Sequence, residues 1–236
     1  MTGTILNVAA ILAGTTAGLL LGAKFPEKLR NTLTAALGLF TALLGVGMFL
    51  KSENNVICLV GIVIGICLGE WLNLEAKVET LGGWLQTAVQ NLLGKNQSGN
   101  REKFIQAFVT ATLLFGIGPM SILGSIQDGL SGDYSMLAVK ALLDGVTSIV
   151  FASTMGYGVA FSVIPIFLYQ GSISLLATKA QVFMSSQMIN EMTATGGVLL
   201  CAIALSSMLS IKKIRVANMV PALLITPLIV WLLALF

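Results

Sequence analysis

The residues in this chain that could do chemistry are few, and they gather in one stretch. Lys140 and Asp144 stand four apart in an apolar run, so on a helix they share a face near its middle. Upstream lie Gln127-Asp128-Gly129 and downstream Gln170-Gly171, preceded by Pro119 and Pro165 respectively. An ionised side chain in an apolar helix is expensive unless it is paired. Two readings follow: a structural Lys140–Asp144 pair, or a carboxyl at Asp144 that binds an ion or a proton. Gln127, Gln170 and Asp128 could ligate the same solute, although Asp128 also reads as a solvated residue of an outer loop beside Asp133. Ser121, Ser125, Thr147, Ser148, Ser153 and Thr154 add hydroxyls to the region.

Other chemistries are excluded by what is missing. The chain has no histidine, which removes histidine triads and histidine metal sites. Neither G-x-S-x-G, the P-loop nor G-x-G-x-x-G occurs. The three cysteines, Cys58, Cys67 and Cys201, all lie in apolar runs and form no C-x-x-C, so they read as small buried hydrophobes. No enzyme, cofactor or metal is expected. A net charge of +3, with the basic residues in short clusters between apolar runs, points away from nucleic acid.

The elements that must position these residues are membrane helices. Of 236 residues, 56% are hydrophobic and 10% charged, with a mean hydropathy of +0.92. Soluble domains carry roughly 25% charged residues, so this chain could not build a water-facing surface. Lipid is the expected surroundings. Apolar runs long enough to cross a bilayer predict an all-α polytopic bundle, one domain over 1–236, with about eight spans near 4–22, 32–50, 56–72, 104–124, 135–155, 158–178, 194–210 and 217–235. The fifth and sixth are separated only by Met155-Gly-Tyr-Gly158, so seven spans plus a re-entrant segment would also fit. The first run follows Met1-Thr2-Gly3 at once and precedes its positive charges, the reverse of a secretory signal, so it is expected to stay.

Lysine and arginine cluster in alternate loops: Lys24, Lys28 and Arg30; Lys77, Lys95, Arg101 and Lys103; Lys212, Lys213 and Arg215. These loops are expected in the cytoplasm, with both termini outside. After span three, Trp71, Leu74, Val78, Leu81, Trp84 and Leu85 recur at helical spacing among charges, predicting an interfacial amphipathic helix followed by a flexible linker at Gly94–Asn100, the two together covering about 73–103. A second polar patch, Gln181 to Thr195, is expected at the outer interface, as is Asn7. Asn218 reads as a cap near the cytoplasmic surface and Glu70 as a partner for loop lysines.

Spans one and three carry the same register, Gly14/Gly18/Gly22 and Gly61/Gly65/Gly69. Glycines four apart let a neighbouring backbone approach closely, for packing inside the bundle or for a dimer. Gly116-Ile-Gly-Pro119 should break span four, because proline donates no amide bond and glycine disfavours helix. Broken helices in lipid are tolerated beside a protein-lined cavity, which is how transporters use them.

Gly3-Thr-Ile-Leu-Asn7, Gly118-Pro-Met-Ser-Ile-Leu-Gly-Ser-Ile-Gln-Asp-Gly129, Lys140 to Gly145, Tyr169-Gln-Gly171 and Ile214-Arg-Val-Ala-Asn-Met-Val-Pro-Ala222 together resemble domain-of-unknown-function family 554, the YqgA/YdfK type of bacterial inner-membrane protein. The resemblance runs the length of the chain. It implies a prokaryotic plasma-membrane protein and assigns no substrate and no functional residues. The residues themselves suggest a secondary transporter or channel for an ion or small polar solute, with its site at Asp144, Lys140, Asp128, Gln127, Gln170 and Pro119. The alternative is a structural or regulatory membrane protein that assembles through its glycine-faced helices. Expected partners are lipids, the solute and a second copy of the chain.

Overall fold

In a computed structural model of the protein, the structure describes residues 1–23, 25–78, 80, 83, 84, 87, 101–116, 119–178 and 185–235. Every regular element among them is helical: α1 (Thr2–Gly22), α2 (Glu27–Phe49), α3 (Asn55–Leu72), α4 (Arg101–Gly116), α5 (Pro119–Ser131), α6 (Ser135–Met155), α7 (Gly158–Leu175, interrupted at Ser162), α8 (Ser186–Ile203) and α9 (Ala222–Leu233). A π turn, Ala204–Met208, extends α8, and a 3-10 turn, Val216–Met219, leads into α9. Seven helices are long and apolar enough to cross a membrane alone, and the pair α4 and α5, bent by 60°, passes the same test together.

That pair is one broken span. Along α7, Phe104 lies beside Gly158, Gly116 beside Ile166, Ser121 beside Gln170 and Gly129 beside Ser174, so α4 and α5 advance together from one end of the bundle to the other. A re-entrant hairpin would return along its neighbour. The break predicted at Gly116–Pro119 is therefore present; Ile117 and Gly118 lie outside the described residues. The two runs flanking Met155–Gly158 are separate full helices, and the change of direction is made by Gly156 at φ +92, a conformation glycine adopts without strain.

The glycine faces explain how the helices pair. A side chain at Gly14, Gly18 or Gly22 would collide with the backbone carbonyl of Gly145, Ile149 or Ser153, so α1 runs parallel to α6 in close contact. Gly61, Gly65 and Gly69 lie against Thr226, Ala222 and Asn218, so α3 runs antiparallel to the last segment. Gly45 and Gly197 bring α2 and α8 together backbone to backbone. All three faces are consumed inside the chain.

α8 is the central helix: 72% of its span is buried, against 22–44% for the other unbroken spans. Its start at Ser186 lies earlier than the span expected at 194–210. Gln181–Met184 lie outside the described residues, but from Ser186 the chain is already in α8, with Glu191, Thr193 and Thr195 buried. The outward faces of the other helices carry Leu20, Phe40, Leu43, Leu59, Leu142 and Leu224, the surface that a bilayer solvates. α3 ends at Asn73, whose left-handed backbone (φ 51) turns the chain into a helical segment seen at 74–78, 80, 83, 84 and 87. Trp71, at the end of α3, and Trp84, on this segment, are exposed, as interfacial anchors are. The linker at 94–100 lies outside the described residues.

Candidate functional site

α1, α5, α6 and α7 bring together most of the residues marked by the sequence. Lys140 and Asp144, one helical turn apart on α6, form an ion pair with both side chains about nine-tenths buried. The Asn7 side chain lies beside the Asp144 carboxylate. Asn7 Nδ2 donates to Gln170 Oε1 at 3.4 Å, and Gln170 Nε2 donates to Ser121 Oγ at 3.5 Å. Ser121 Oγ in turn donates to the carbonyl of Phe115 at 3.0 Å, one of the acceptors the helix break would otherwise leave bare. A polar chain thus runs from the ion pair to the break in the α4/α5 span.

Asn7, expected near the outer interface, lies close to the start of α1 and is fully buried in this chain. The hydrophobic pattern places it near the start of α1, but the α6 contact draws that whole face inside. Asp128 is likewise no solvated loop residue: its side chain is 1% exposed, and Oδ2 accepts from the Met1 ammonium at 3.1 Å and from Gly3 N at 3.0 Å. It holds the start of α1, where amide donors are unpaired. Gln127 is not part of the cluster, since it donates to Asp133 Oδ2 at 2.6 Å at the exposed end of α5. Pro119 opens α5.

One buried acid was missed altogether. Glu191 is fully buried on α8, and its carboxylate accepts from Ser52 Oγ at 2.7 Å, Glu53 N at 2.7 Å and Asn54 N at 2.8 Å. It does for the start of α3 what Asp128 does for α1. The available signal was the run of small residues after Glu191, Thr-Ala-Thr-Gly-Gly, which continues a helix rather than a loop. At the opposite end, Glu75 and Asn218 exchange bonds with each other's backbone segments, Glu75 N to Asn218 Oδ1 at 2.8 Å and Ala217 N to Glu75 Oε2 at 3.0 Å, while Arg215 meets Glu70 at 3.0 Å.

Two cavities lie along one seam. The larger, about 670 Å³, opens at the end of the bundle that carries Lys213 and is bordered by Glu75, Glu102, Gln106, Ser206 and Lys213. The second, about 290 Å³, lies further along and is bordered by Thr112, Gly116, Pro165, Tyr169, Met192 and Thr193. α4 lines both with a single stripe, Glu102, Ile105, Gln106 and Val109 in the first, then Thr112, Leu113 and Gly116 in the second. The segment into α9 does the same with Val216 and Ala217, then Val220, Leu223 and Leu224. Val109, Ile203 and Val216, which border the first cavity, and Leu113 and Val220, which border the second, belong to one packed apolar cluster. Gly116, at the break, and Pro165 both border this cavity; the break expected at Pro165–Gly171 is absent, because Pro165 sits in the first turn of a continuous helix from Val163 to Leu175, where its missing amide donor costs nothing.

Among the described residues no group of three or more cysteine or acidic side chains could hold a metal ion. Comparison with known proteins agrees with a membrane bundle and names no activity. Over its full length, the chain is 34% identical across 240 residues to "Uncharacterized membrane protein YdfK" of Bacillus subtilis (strain 168), covering 98% of that relative. It is 30% identical across 223 residues to "Uncharacterized protein YqgA" of Escherichia coli (strain K12), covering 94% of this chain and 93% of the other. No solved structure matches it. The model of the family described as "Protein of unknown function (DUF554)" matches residues 2–231, and the chain belongs to that family.

Proposed function

We propose that the protein is a secondary transporter, with its solute path along the α4, α8 and α9 seam and its coupling group at Asp144. The observation that carries this reading is the stacking of two cavities along one seam, the inner one bordered by Gly116 at the break in the α4/α5 span. Transporters place binding sites where discontinuous helices meet near the membrane midplane. The apolar cluster that borders both cavities is the barrier that alternating access would open.

The buried Lys140–Asp144 pair supplies the second element of such a machine. Protonating Asp144, or replacing the Lys140 ammonium by a bound cation, breaks the pair and leaves a changed charge in apolar surroundings. The chain Asn7, Gln170, Ser121 and Phe115 connects that change to the break bordering the inner cavity. The basic loops belong in the cytoplasm of a bacterium, with the protein in the inner membrane and both termini outside. A role in assembly through glycine-faced helices is less favoured, because α6, α8 and the α9 segment occupy those faces.

Proteoliposomes loaded with a pH-sensitive dye test the reading. Under imposed gradients of sodium, potassium or acetate, or a membrane potential, the wild type should give a dye response that protein-free vesicles lack, and Asp144→Asn should abolish it at unchanged melting temperature. A response left intact in the variant eliminates the coupling role of Asp144.

A further inference from the structure

The bonds that hold the helices sort them into two groups. In the first, made of α1 and α4–α7, the glycine face of α1 meets α6, Gly129 of α5 meets Ser174 of α7, and Gly158 of α7 meets Phe104 of α4. Asp128 accepts from Gly3, Asn7 donates to Gln170, and Gln170 donates to Ser121. In the second, made of α2, α3, α8 and α9, Gly45 meets Gly197, and the glycine face of α3 meets the α9 segment. Glu191 of α8 holds the start of α3, the Thr195 and Thr226 hydroxyls pair at 2.9 Å, and Arg215 meets Glu70. The grouping cuts across chain order, since α1 belongs with α4–α7 while α8 and α9 belong with α2 and α3.

The two groups meet through packing of another kind. Met208 and Leu37 of the second lie among Ile11, Ala107 and Phe115 of the first. Val109, Leu113 and Leu114 of the first lie among Leu199, Ile203 and Val216 of the second. Both cavities fall on this apolar join. The vestibule has Ile105 and Gln106 on one side and Ile203 and Ser206 on the other; the inner cavity has Gly116 and Tyr169 on one side and Met192 and Leu223 on the other.

Motion therefore has one inexpensive direction. Pulling either group apart would strip buried Asn7, Asp128, Gln170 or Glu191 of its partners, a heavy cost in apolar surroundings. Sliding one group over the other exchanges apolar contacts for lipid, which is as apolar as the side chains it replaces.

We propose that α2, α3, α8 and α9 rock as one body against α1 and α4–α7, narrowing the seam at the vestibule as it widens at the opposite end, and the reverse. The proposal rests on the transporter reading for what the movement does, and on the bonding alone for which helices move together. Lys140, Asp144, Asn7, Gln170, Ser121 and Phe115 all belong to one body. A charge change at Asp144 thus reaches the seam through Gly116, next to Phe115 on the wall of the inner cavity.

The test measures distances between spin labels by pulsed electron resonance, on the full chain in lipid nanodiscs with Cys58, Cys67 and Cys201 replaced. Exposed positions carry the labels. Lys103→Cys with Ile211→Cys crosses the seam at the vestibule end, and Ser131→Cys with Asn55→Cys crosses it at the opposite end. Lys28→Cys with Ile211→Cys, and Ser131→Cys with Leu175→Cys, stay within one body. Each pair is read in the otherwise unaltered chain, with Asp144→Asn and with Lys140→Met, which leave opposite charges behind. Between the two charge variants the cross-seam distances should change in opposite senses at the two ends by about 5 Å or more, while the within-body distances hold to about 2 Å. Within-body changes as large as the cross-seam ones, widening at both ends together, or cross-seam distances that stay fixed overturn the proposal. If the charge variants fail to fold, the same criterion applied without them, between acidic and alkaline media, decides. Fixed distances beside an intact dye response sink the two-body movement and leave transport standing; opposite changes without any dye response do the reverse.

Discussion

At the scale of single residues, long-range carboxylate bonds organise the bundle ends. Glu191 accepts three hydrogen bonds in a fully buried position, and an amide there has one acceptor oxygen and unwanted donors. Glu191→Gln should therefore lower stability by about 2 kcal/mol, read as a drop in melting temperature in detergent, whereas Glu53→Gln should be close to neutral. Outside the membrane, Asp133 accepts from the hydroxyl and amide of Ser135, which, with Gln127, hold its carboxyl below the usual carboxylate range. A depressed carboxyl stabilises the fold above its unfolded value and loses that contribution as pH falls through the folded one. Hydrogen-exchange protection in the first turn of α6, taken relative to the intrinsic rate at each pH, should fall as the medium is acidified through that range, and Asp133→Asn should flatten the dependence. Lys140 and Asp144 could be paired from sequence because four residues on a helix fix their geometry. The partners of Asn7, Asp128 and Glu191 stand more than a hundred residues away, and no local pattern encodes such a meeting.

At the scale of elements, the helix register was readable because lipid leaves a long apolar run few options besides a helix. α6 spans 135–155 as its composition dictates, and the break before Pro119 follows from the chemistry of proline and glycine. The start of α8 was not readable, since a polar opening turn in the bundle centre resembles a loop until its neighbours are known. Glycine use separates by what faces each one. Gly65→Ala should destabilise by about 1–3 kcal/mol, because the added carbon meets the Ala222 backbone, while Gly47→Ala, with open space around it, should be neutral or stabilising by up to about 1 kcal/mol. Unfolding of the two variants in mixed micelles compares them directly.

At the scale of the molecule, eight crossings return the chain to the side where it began, so tags on the two termini should be digested from the same face of sealed vesicles and protected on the other. A transporter must open the apolar packing of Val109, Leu113, Ile203, Val216 and Val220 to each side in turn. Cysteine at Leu113, in a background with Cys58, Cys67 and Cys201 replaced, reports on that packing. Cysteine at Leu142, which faces lipid, serves as the control. A membrane-impermeant thiol reagent should modify Leu113→Cys from either face, with a rise in one rate matched by a fall in the other when a proton gradient is imposed. A Leu113→Cys thiol no more reactive than the control from either face, in every gradient, would contradict it.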